Sequence, residues 1–270
     1  MNIIDFHTHA FPDAIAGKTI AHLEKVSGLT ALGDGTVGAL RAHMRKSGVA
    51  LAVNLPVVTR PSQYQTVNDF AAALNREGDG IVSFGGIHPD SEAVEDELDG
   101  IAARGLRGIK LHPDYQDVMI DDPRYLRIVR GALLRDLHIV THAGLDSVSP
   151  ELVHAPPALS RRLIEALGDL PKKSRGRLIF AHLGGNERHE EVEKHLVGMP
   201  VMLDLSFILR RISKDRLLRI IRAHGTDNIL FGSDYPWSDP AADAEVLMEL
   251  GLGEGELADI FENNARALLN

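Results

Sequence analysis

Short apolar runs alternate with segments of helical composition along the whole chain. The first run, Ile-Ile-Asp-Phe-His-Thr-His at residues 3–9, is followed by runs at residues 49–55, 81–88, 106–112, 137–142, 177–182, 201–205 and 228–233. Continuous apolar runs of this kind are typical of strands that are buried on both faces of a parallel sheet. The intervening helices are predicted at residues 14–26, 36–46, 62–76, 91–103, 122–136, 157–167, 187–196, 214–223, 241–250 and 254–269.

This alternation predicts an α/β fold. Eight strands, each followed by a helix, fill a chain of 270 residues, which is close to the roughly 250 residues of a (β/α)8 TIM barrel. We therefore predict a single barrel domain over residues 1–270. The alternation alone would also fit an open doubly wound sheet.

Polar residues cluster where the predicted strands end. Their position distinguishes between a barrel and an open sheet. In a barrel the carboxyl ends of the strands converge on one mouth, whereas in an open sheet they form a long row. A single polar centre therefore favours the barrel. The residues at or just after the strand ends are His9, His88, His112, His142, His182, Asp204 and Asp234.

The first strand carries two histidines one residue apart. Alternate side chains of a strand share a face, so Asp5, His7 and His9 should point one way while Ile4 and Phe6 point the other. Two imidazoles on one face can bind a metal ion. On a helix the same spacing would separate them.

Composition limits the classes of partner and ligand. The chain has 29 basic and 38 acidic residues, a net charge of −9, and no long basic tract, which argues against nucleic acid or an anionic membrane as the main partner. It has no cysteine, so a metal would be bound by histidine, carboxylate or modified lysine. No stretch is typical of a secretion signal or a membrane span. We expect a cytoplasmic protein. The sequence leaves open whether the chain forms a homo-oligomer.

Four motifs together predict a metal centre. Each histidine taken alone is more often a hydrogen-bonded residue at a strand end, but their joint placement favours a shared site. They offer three or four imidazoles and one carboxylate, which suits Zn²⁺ or a similar divalent ion with a position left for water. His182 could be one of the ligands. The motifs are His-Thr-His at 7–9, Thr-His-Ala-Gly at 141–144, Ala-His-Leu-Gly-Gly at 181–185 and Phe-Gly-Ser-Asp-Tyr-Pro-Trp at 231–237.

With these motifs the chain resembles the amidohydrolase superfamily of metal-dependent barrel enzymes, in the branch that includes aminocarboxymuconate semialdehyde decarboxylase and related hydrolases. The resemblance covers the whole chain, because Phe-Pro at 11–12 follows the first motif and Asn-Asn-Ala-Arg at 263–266 lies in the last helix. It implies that one Zn²⁺ or similar ion is bound by His7, His9, His142 and Asp234. It also implies that His182 stands beside the bound water or substrate as an acid or base.

Lys110 is an ambiguous part of the site. It shares a strand face with His112, so both would point into the barrel mouth. A buried ammonium needs a partner, such as Asp5, Asp204 or an acidic group of the substrate. In the two-metal branch of the superfamily a lysine at the matching place is carboxylated and bridges two ions. We expect an unmodified Lys110 and one ion, with two ions only if Lys110 is carboxylated.

Further residues are predicted to surround the substrate. Lys110, His112, His88 and Asp204 are candidate substrate contacts, and residues 145–156 form a long connection that would cover the site and select the substrate. The remaining histidines are expected to be exposed to solvent, with His154 as the exception that could reach the site. They are His22, His43, His138, His154, His189, His195 and His224.

The predicted activity is hydrolysis of a small amide, lactone or related bond by a metal-activated water. Asp234 would take the proton and His182 would stabilise the developing charge. The alternative is non-oxidative decarboxylation of a small carboxylic acid, in which the metal water or His182 protonates carbon. A metal-binding barrel without activity is disfavoured, because a candidate base and an open coordination position are both present.

Overall fold

Parallel strands form the centre of the molecule. The computed structural model describes residues 2–171, 174 and 176–270. All pairings between its strands are parallel, in the orders β1-β2-β3 and β4-β5-β6-β7-β8-β9. The strands are β1 (Ile3–Thr8), β2 (Val49–Asn54), β3 (Ile81–Ser83), β4 (Gly85–Gly86), β5 (Gly108–Leu111), β6 (His138–Thr141), β7 (Leu178–Phe180), β8 (Met202–Asp204) and β9 (Ile229–Leu230).

Helices lie between successive strands, as the alternating pattern predicted, except between β3 and β4, which are separated by Phe84 alone. The predicted last helix, residues 254–269, contains a π-helical turn at Asp259–Asn263. The α-helices are α1 (Asp13–Ser27), α2 (Val37–Ser47), α3 (Tyr64–Glu77), α4 (Val94–Ala103), α5 (Pro113–Gln116), α6 (Pro123–Leu134), α7 (Pro157–Ala166), α8 (His189–His195), α9 (Lys214–His224), α10 (Pro240–Met248), α11 (Glu254–Ala258) and α12 (Asn264–Leu269). Short 3₁₀ turns occur at Pro61–Gln63, His182–Gly184 and Thr226–Asn228.

The strands curve into an α/β barrel. The predicted strand at residues 81–88 is divided by Phe84 into β3 and β4, so the strand pairing forms two sheets instead of one closed ladder. The first and last strands are nevertheless adjacent. Phe6 N donates to Phe231 O at 2.9 Å, and Asp234 N donates to His7 O at 2.8 Å. These bonds bring the ends of the first and last strands to the same place.

Two hydrophobic layers stabilise this arrangement. The larger one packs outward-facing strand residues, such as Ile139 and Phe180, against helix residues such as Leu98, Ile128 and Leu163. The smaller one consists mostly of residues in the strands or directly next to them, and it fills the interior of the barrel below the polar end. Its members are Ile4, Phe6, Val53, Leu55, Phe84, Val140, Ile179, Met202, Leu230 and Ala265.

The predicted alternation of side chains in β1 is interrupted. Asp5 pairs with Ala52 and Thr8 with Asn54, so three steps along β1 match two along β2. Phe6 consequently packs in the barrel interior, while the next residue, His7, reaches the polar centre. A register shift of this kind changes the direction of the side chains that follow it.

The predicted exposure of the other histidines is partly wrong. His138 and His224 are buried, with 7% and 6% of their surface exposed. His138 begins β6, and His224 contacts the carbonyl of Val201 at 2.9 Å. His154, the predicted exception, is buried between Asp114 and Asp117. Within the described part of the chain no helix has both the length and the apolar character needed to cross a bilayer.

Candidate active site

A cavity of about 460 Å³ opens at the carboxyl ends of the strands. Its volume is within the range of sites for small molecules. Residues Leu145–Val148 of the long connection line one side, as predicted for a covering loop, and Thr19 and His22 of α1 line another. The predicted site residues that line it are His7, His9, Lys110, His112, His142, His182 and Asp234.

His7, His9 and Asp234 form a compact group at the floor of the cavity, where one potential ligand atom from each lies within 4.8 Å of the others. Asp234 Oδ1 is 3.4 Å from His7 Nε2 and 3.0 Å from His9 Nε2. Burial raises the pKa of Asp234, but the close contact with His9 and the other nearby imidazoles outweigh burial and keep the pKa below its ordinary value. The group therefore contains a carboxylate between two imidazoles.

The other ring nitrogens fix the orientation of these imidazoles. His7 Nδ1 is 2.8 Å from Asp204 Oδ2, and His9 Nδ1 is 3.0 Å from the carbonyl of Leu55. Because both partners only accept, each Nδ1 carries the proton and each Nε2 presents a lone pair. Both lone pairs face the carboxylate of Asp234, which is also an acceptor. This arrangement is unfavourable unless a cation or a proton lies between the nitrogens and the carboxylate. The donor set therefore fits a divalent metal ion.

Asp204 lies behind this group and does not line the cavity. Its carboxylate is fully buried and accepts hydrogen bonds from His182 N and Ser206 N, both at 3.0 Å. Burial raises the pKa of Asp204, but the His7 imidazole, the nearby His182 ring and the Ser206 hydroxyl outweigh burial and hold the pKa below its ordinary value. Asp204 was predicted to contact the substrate, but the structure places it behind His7. There it can orient the His7 ring.

Lys110 projects into the cavity beside the predicted metal ligands. Its Nζ is 3.1 Å from His7 Nε2, and 1% of its surface is exposed. Burial lowers the pKa of Lys110 to about 8. Its ammonium forms no ion pair within 4.0 Å with any described carboxylate, so neither Asp5 nor Asp204 is the direct partner that the sequence suggested.

His142 and His182 form a second part of the centre. His142 Nδ1 is 3.0 Å from His182 Nε2, while His182 Nδ1 donates to the carbonyl of Ser206 at 3.1 Å. Burial and the neighbouring His112 hold the pKa of His142 well below its ordinary value. His142 Nε2 is buried without a hydrogen-bond partner among the described residues. His142 groups with His112 and Asp146, not with His7, His9 and Asp234.

The two remaining candidates occupy different surroundings. His112 caps α5, and its ring stacks between Tyr115 and His142, with centroids 3.7 and 4.3 Å away. His88 is buried outside the described lining of the cavity, and its Nδ1 accepts from Asp90 N at 3.1 Å. The structure thus brings His112 to the centre and leaves His88 beside it.

Several polar residues of the centre were missed in the sequence. Ser206 contacts His7 Nδ1 at 3.0 Å and His182 Nδ1 at 2.9 Å, and Asp114 and Asp146 lie near His142. Ser206 and Asp114 each lie two residues after a strand-end residue, Asp204 and His112, so their position after a strand was the available signal. Asp146 had no such signal beyond its place in the long connection.

The sequence matches the amidohydrolase family over residues 4–270. This chain belongs to the amidohydrolase family. Amidohydrolases depend on metal ions, and the His and Asp groups described above are candidate ligands in this one. The match, together with the site geometry, indicates an enzyme. A comparison with curated proteins finds no match.

Solved structures resemble this amidohydrolase over its whole length. A 5-carboxyvanillate decarboxylase from Sphingomonas paucimobilis has a TM-score of 0.70 and 16% identity, over 99% of this chain and 98% of its own. A probable 2-pyrone-4,6-dicarboxylic acid hydrolase from Acinetobacter baumannii, with citric acid bound, has a TM-score of 0.68 and 15% identity over 99% of each chain. A dihydroxybenzoic acid decarboxylase from Polaromonas sp. JS666, with bound manganese, has a TM-score of 0.67 and 15% identity, over 99% of this chain and 97% of its own.

Proposed function

We propose that this amidohydrolase is a metal-dependent hydrolase that cleaves an amide, lactone or related bond in a small carboxylate-bearing molecule. The observation that carries the proposal is the convergence of His7 Nε2, His9 Nε2 and Asp234 Oδ1 at the floor of a small-molecule cavity. His142 is the fourth proposed ligand, and one Zn²⁺ is the proposed ion. A divalent ion in this position would supply Lewis acidity, which lowers the pKa of water and polarises a carbonyl oxygen.

Other side chains of this site would transfer the proton, stabilise charge and orient the ligands. Asp234 Oδ1 faces the cavity between two imidazoles and would accept the proton released when water attacks the substrate. His182 is held by the Ser206 carbonyl and, with a proton on Nε2, would stabilise the negative charge that develops on the substrate. Asp204 would keep His7 in the orientation that presents Nε2 to the centre. Residues 145–148 would exclude bulk water from the reacting bond.

The position of Lys110 favours a substrate that carries a carboxylate group. Apart from histidines, it is the only basic side chain among the described residues that line the cavity. An ammonium buried without a carboxylate partner gains most from an anionic ligand. The similar structures whose names state a substrate act on carboxylic acids, 5-carboxyvanillate and 2-pyrone-4,6-dicarboxylic acid among them. We therefore propose that Lys110 binds a substrate carboxylate and stays unmodified.

Non-oxidative decarboxylation is the second candidate. It is favoured by the similarity over nearly the whole chain to two enzymes that are named decarboxylases. In this reaction Lys110 would hold the departing carboxylate, and His182 would deliver a proton to the carbon atom. The same cavity and the same ligand group would serve both reactions.

One experiment separates the two reactions. Metal-loaded protein is incubated in H₂¹⁸O with a panel of small lactones, amides and aromatic carboxylic acids, and products are analysed by mass spectrometry. Hydrolysis places one ¹⁸O atom in the product acid, whereas decarboxylation releases CO₂ and shortens the substrate by one carbon. The Asp234→Asn variant is the matched control. Turnover by CO₂ release alone would replace the hydrolase proposal with the decarboxylase, and turnover that survives complete metal removal would contradict both.

A further inference from the structure

The carboxylate of Asp114 is buried, with two oxygens in different situations. Its side chain is 0% exposed. Oδ1 accepts from His154 Nδ1 at 3.0 Å and from Ser149 Oγ at 3.1 Å, and both donors belong to the covering connection at residues 145–156. Oδ2 has no hydrogen-bond partner among the described residues. Because an unpaired buried carboxylate oxygen costs free energy, a donor is expected opposite Oδ2.

His142 is the group that faces this oxygen. His142 Nε2 lies 3.8 Å from Asp114 Oδ2, and it too is buried without a partner. Asp146 is 4.0 Å from the same nitrogen, but it also lies 3.6 Å from His112 Nε2. Since His112 Nδ1 accepts from Tyr115 N, His112 Nε2 carries a proton that points towards Asp146. Asp114 therefore remains as the acceptor for His142.

We infer that Asp114 is a positioning residue that holds the proton of His142 on Nε2, so that Nδ1 becomes the metal-ligating atom. This inference rests on the proposed metal centre. A movement of about 1 Å brings the two unpaired atoms to hydrogen-bond distance. Metal-binding histidines commonly donate their second N–H to a carboxylate, which fixes the ring and raises its basicity.

The contact with His182 agrees with this orientation. His182 Nδ1 donates to the Ser206 carbonyl, so His182 Nε2 presents a lone pair. His142 Nδ1, 3.0 Å away, would present a second lone pair once the proton is on Nε2. Two lone pairs at this distance repel each other unless a cation lies close to them. The Asp114 contact therefore leaves the lone pair of His142 Nδ1 available to a bound cation.

The same carboxylate also joins the metal centre to the covering connection. Ser149 and His154 lie on that connection and use Oδ1, while His142 faces Oδ2. The two functions of Asp114 can therefore be separated by mutation. Replacing Ser149 or His154 releases the connection and leaves Oδ2 in place. Replacing Asp114 removes both contacts.

The test compares metal affinity across four variants. Asp114→Asn and Asp114→Ala remove the charge or the whole group, and Ser149→Ala and His154→Gln remove only the attachment of the connection. Co²⁺ affinity is measured by competition with a chelator, together with the visible absorption spectrum of the bound ion. Circular dichroism reports whether each variant is folded. Asp114→Asn has nearly the same shape as the parent and keeps the test valid if Asp114→Ala does not fold.

We expect a 10- to 100-fold loss of Co²⁺ affinity and an altered spectrum for both Asp114 variants. Ser149→Ala and His154→Gln should bind Co²⁺ within about twofold of the parent. Parental affinity and an unchanged spectrum in folded Asp114→Asn would overturn the inference and leave the proposed function standing. Equal losses in all four variants would also overturn it, because the effect would then come from the connection. A parent chain that binds no metal would refute the proposed function itself.

Discussion

His142 and His182 are adjacent imidazoles with different surroundings. His182 is held on one side by the Ser206 carbonyl and on the other by His142, whereas His142 has one ring nitrogen without a partner. A ring that is already fixed by protein contacts can keep its place when no metal is present. The proposed division makes His142 a ligand and His182 an acid or base.

We predict that His182→Asn lowers kcat by roughly 10²- to 10⁴-fold, the usual contribution of a positioned acid or base. Its metal content should stay near that of the parent, because the proposed ligands are unchanged. His142→Asn is the matched variant and should lose metal as well as activity. Elemental analysis and steady-state kinetics measure both properties. A metal-free His182→Asn protein would make His182 a ligand.

At the level of single residues, the sequence predicted well which histidines lie near the centre. It did not predict which ring nitrogen of each histidine faces the centre. Strand-end position was enough for His7, His9 and His142, which all line the cavity. It failed for His88 and Asp204, because a residue near the end of a strand can turn away from the mouth, as His88 does, or lie beneath it, as Asp204 does. The ring orientation of His9 depends on the Leu55 carbonyl, a contact made 46 residues along the chain. No local pattern contains that information.

The turn after β6 positions His142, and Gly144 is its critical residue. Gly144 has a φ of 91°, and a Cβ added there would lie 2.1 Å from Asn186 N. This turn pairs with Ala155 and Asn186, so it joins the covering connection to the segment after β7. Glycine is required here both by the backbone conformation and by the close approach of another backbone.

We predict that Gly144→Ala destabilises the protein by roughly 2 to 4 kcal/mol, because backbone strain adds to a steric clash. Gly28→Ala is the control, since Gly28 also has a positive φ, 71°, but no atom within 4 Å of an added Cβ. It should cost only about 1 kcal/mol. Urea denaturation compares the free energies of unfolding. Equal losses in the two variants would show that the contact with Asn186 contributes nothing.

At the scale of elements, periodicity predicted the order of strands and helices, while local geometry changed their limits. The apolar run at residues 81–88 was expected to be one strand, yet Phe84 divides it. The helix α5 was not predicted, because its four residues are too few to show a period. The register shift in β1 depends on pairing with β2, so the sequence of β1 alone could not reveal it.

At the scale of the whole molecule, the two ends of the barrel differ. The polar centre occupies the carboxyl ends of the strands, whereas His138 is buried at the amino end of β6 with an unpaired Nδ1 among the described residues. Burial lowers the pKa of His138 to about 4, from an ordinary value near 6.5. The folded state therefore holds this imidazole neutral under conditions where the unfolded chain would protonate it.

This burial predicts a loss of stability in acid. The contribution of neutral His138 is fully present above about pH 6.5 and is lost as the pH falls towards 4, by roughly 3 kcal/mol in total. His138→Gln should therefore lose less free energy of unfolding than the parent between pH 7 and 4. His22→Gln, which changes an exposed histidine, should behave like the parent. Identical pH profiles for the parent and His138→Gln would contradict this account.

We propose that one divalent ion is bound where β1 and β9 meet, and a crystal structure with anomalous scattering data would locate it. We predict one metal peak at roughly 2.0 to 2.2 Å from nitrogens of His7, His9 and His142 and an oxygen of Asp234, with density for Lys110 that ends at its amine. Two peaks bridged by a carbamate on Lys110 would contradict the one-ion account. The absence of any peak near these four side chains, in crystals grown with excess metal, would contradict the site itself.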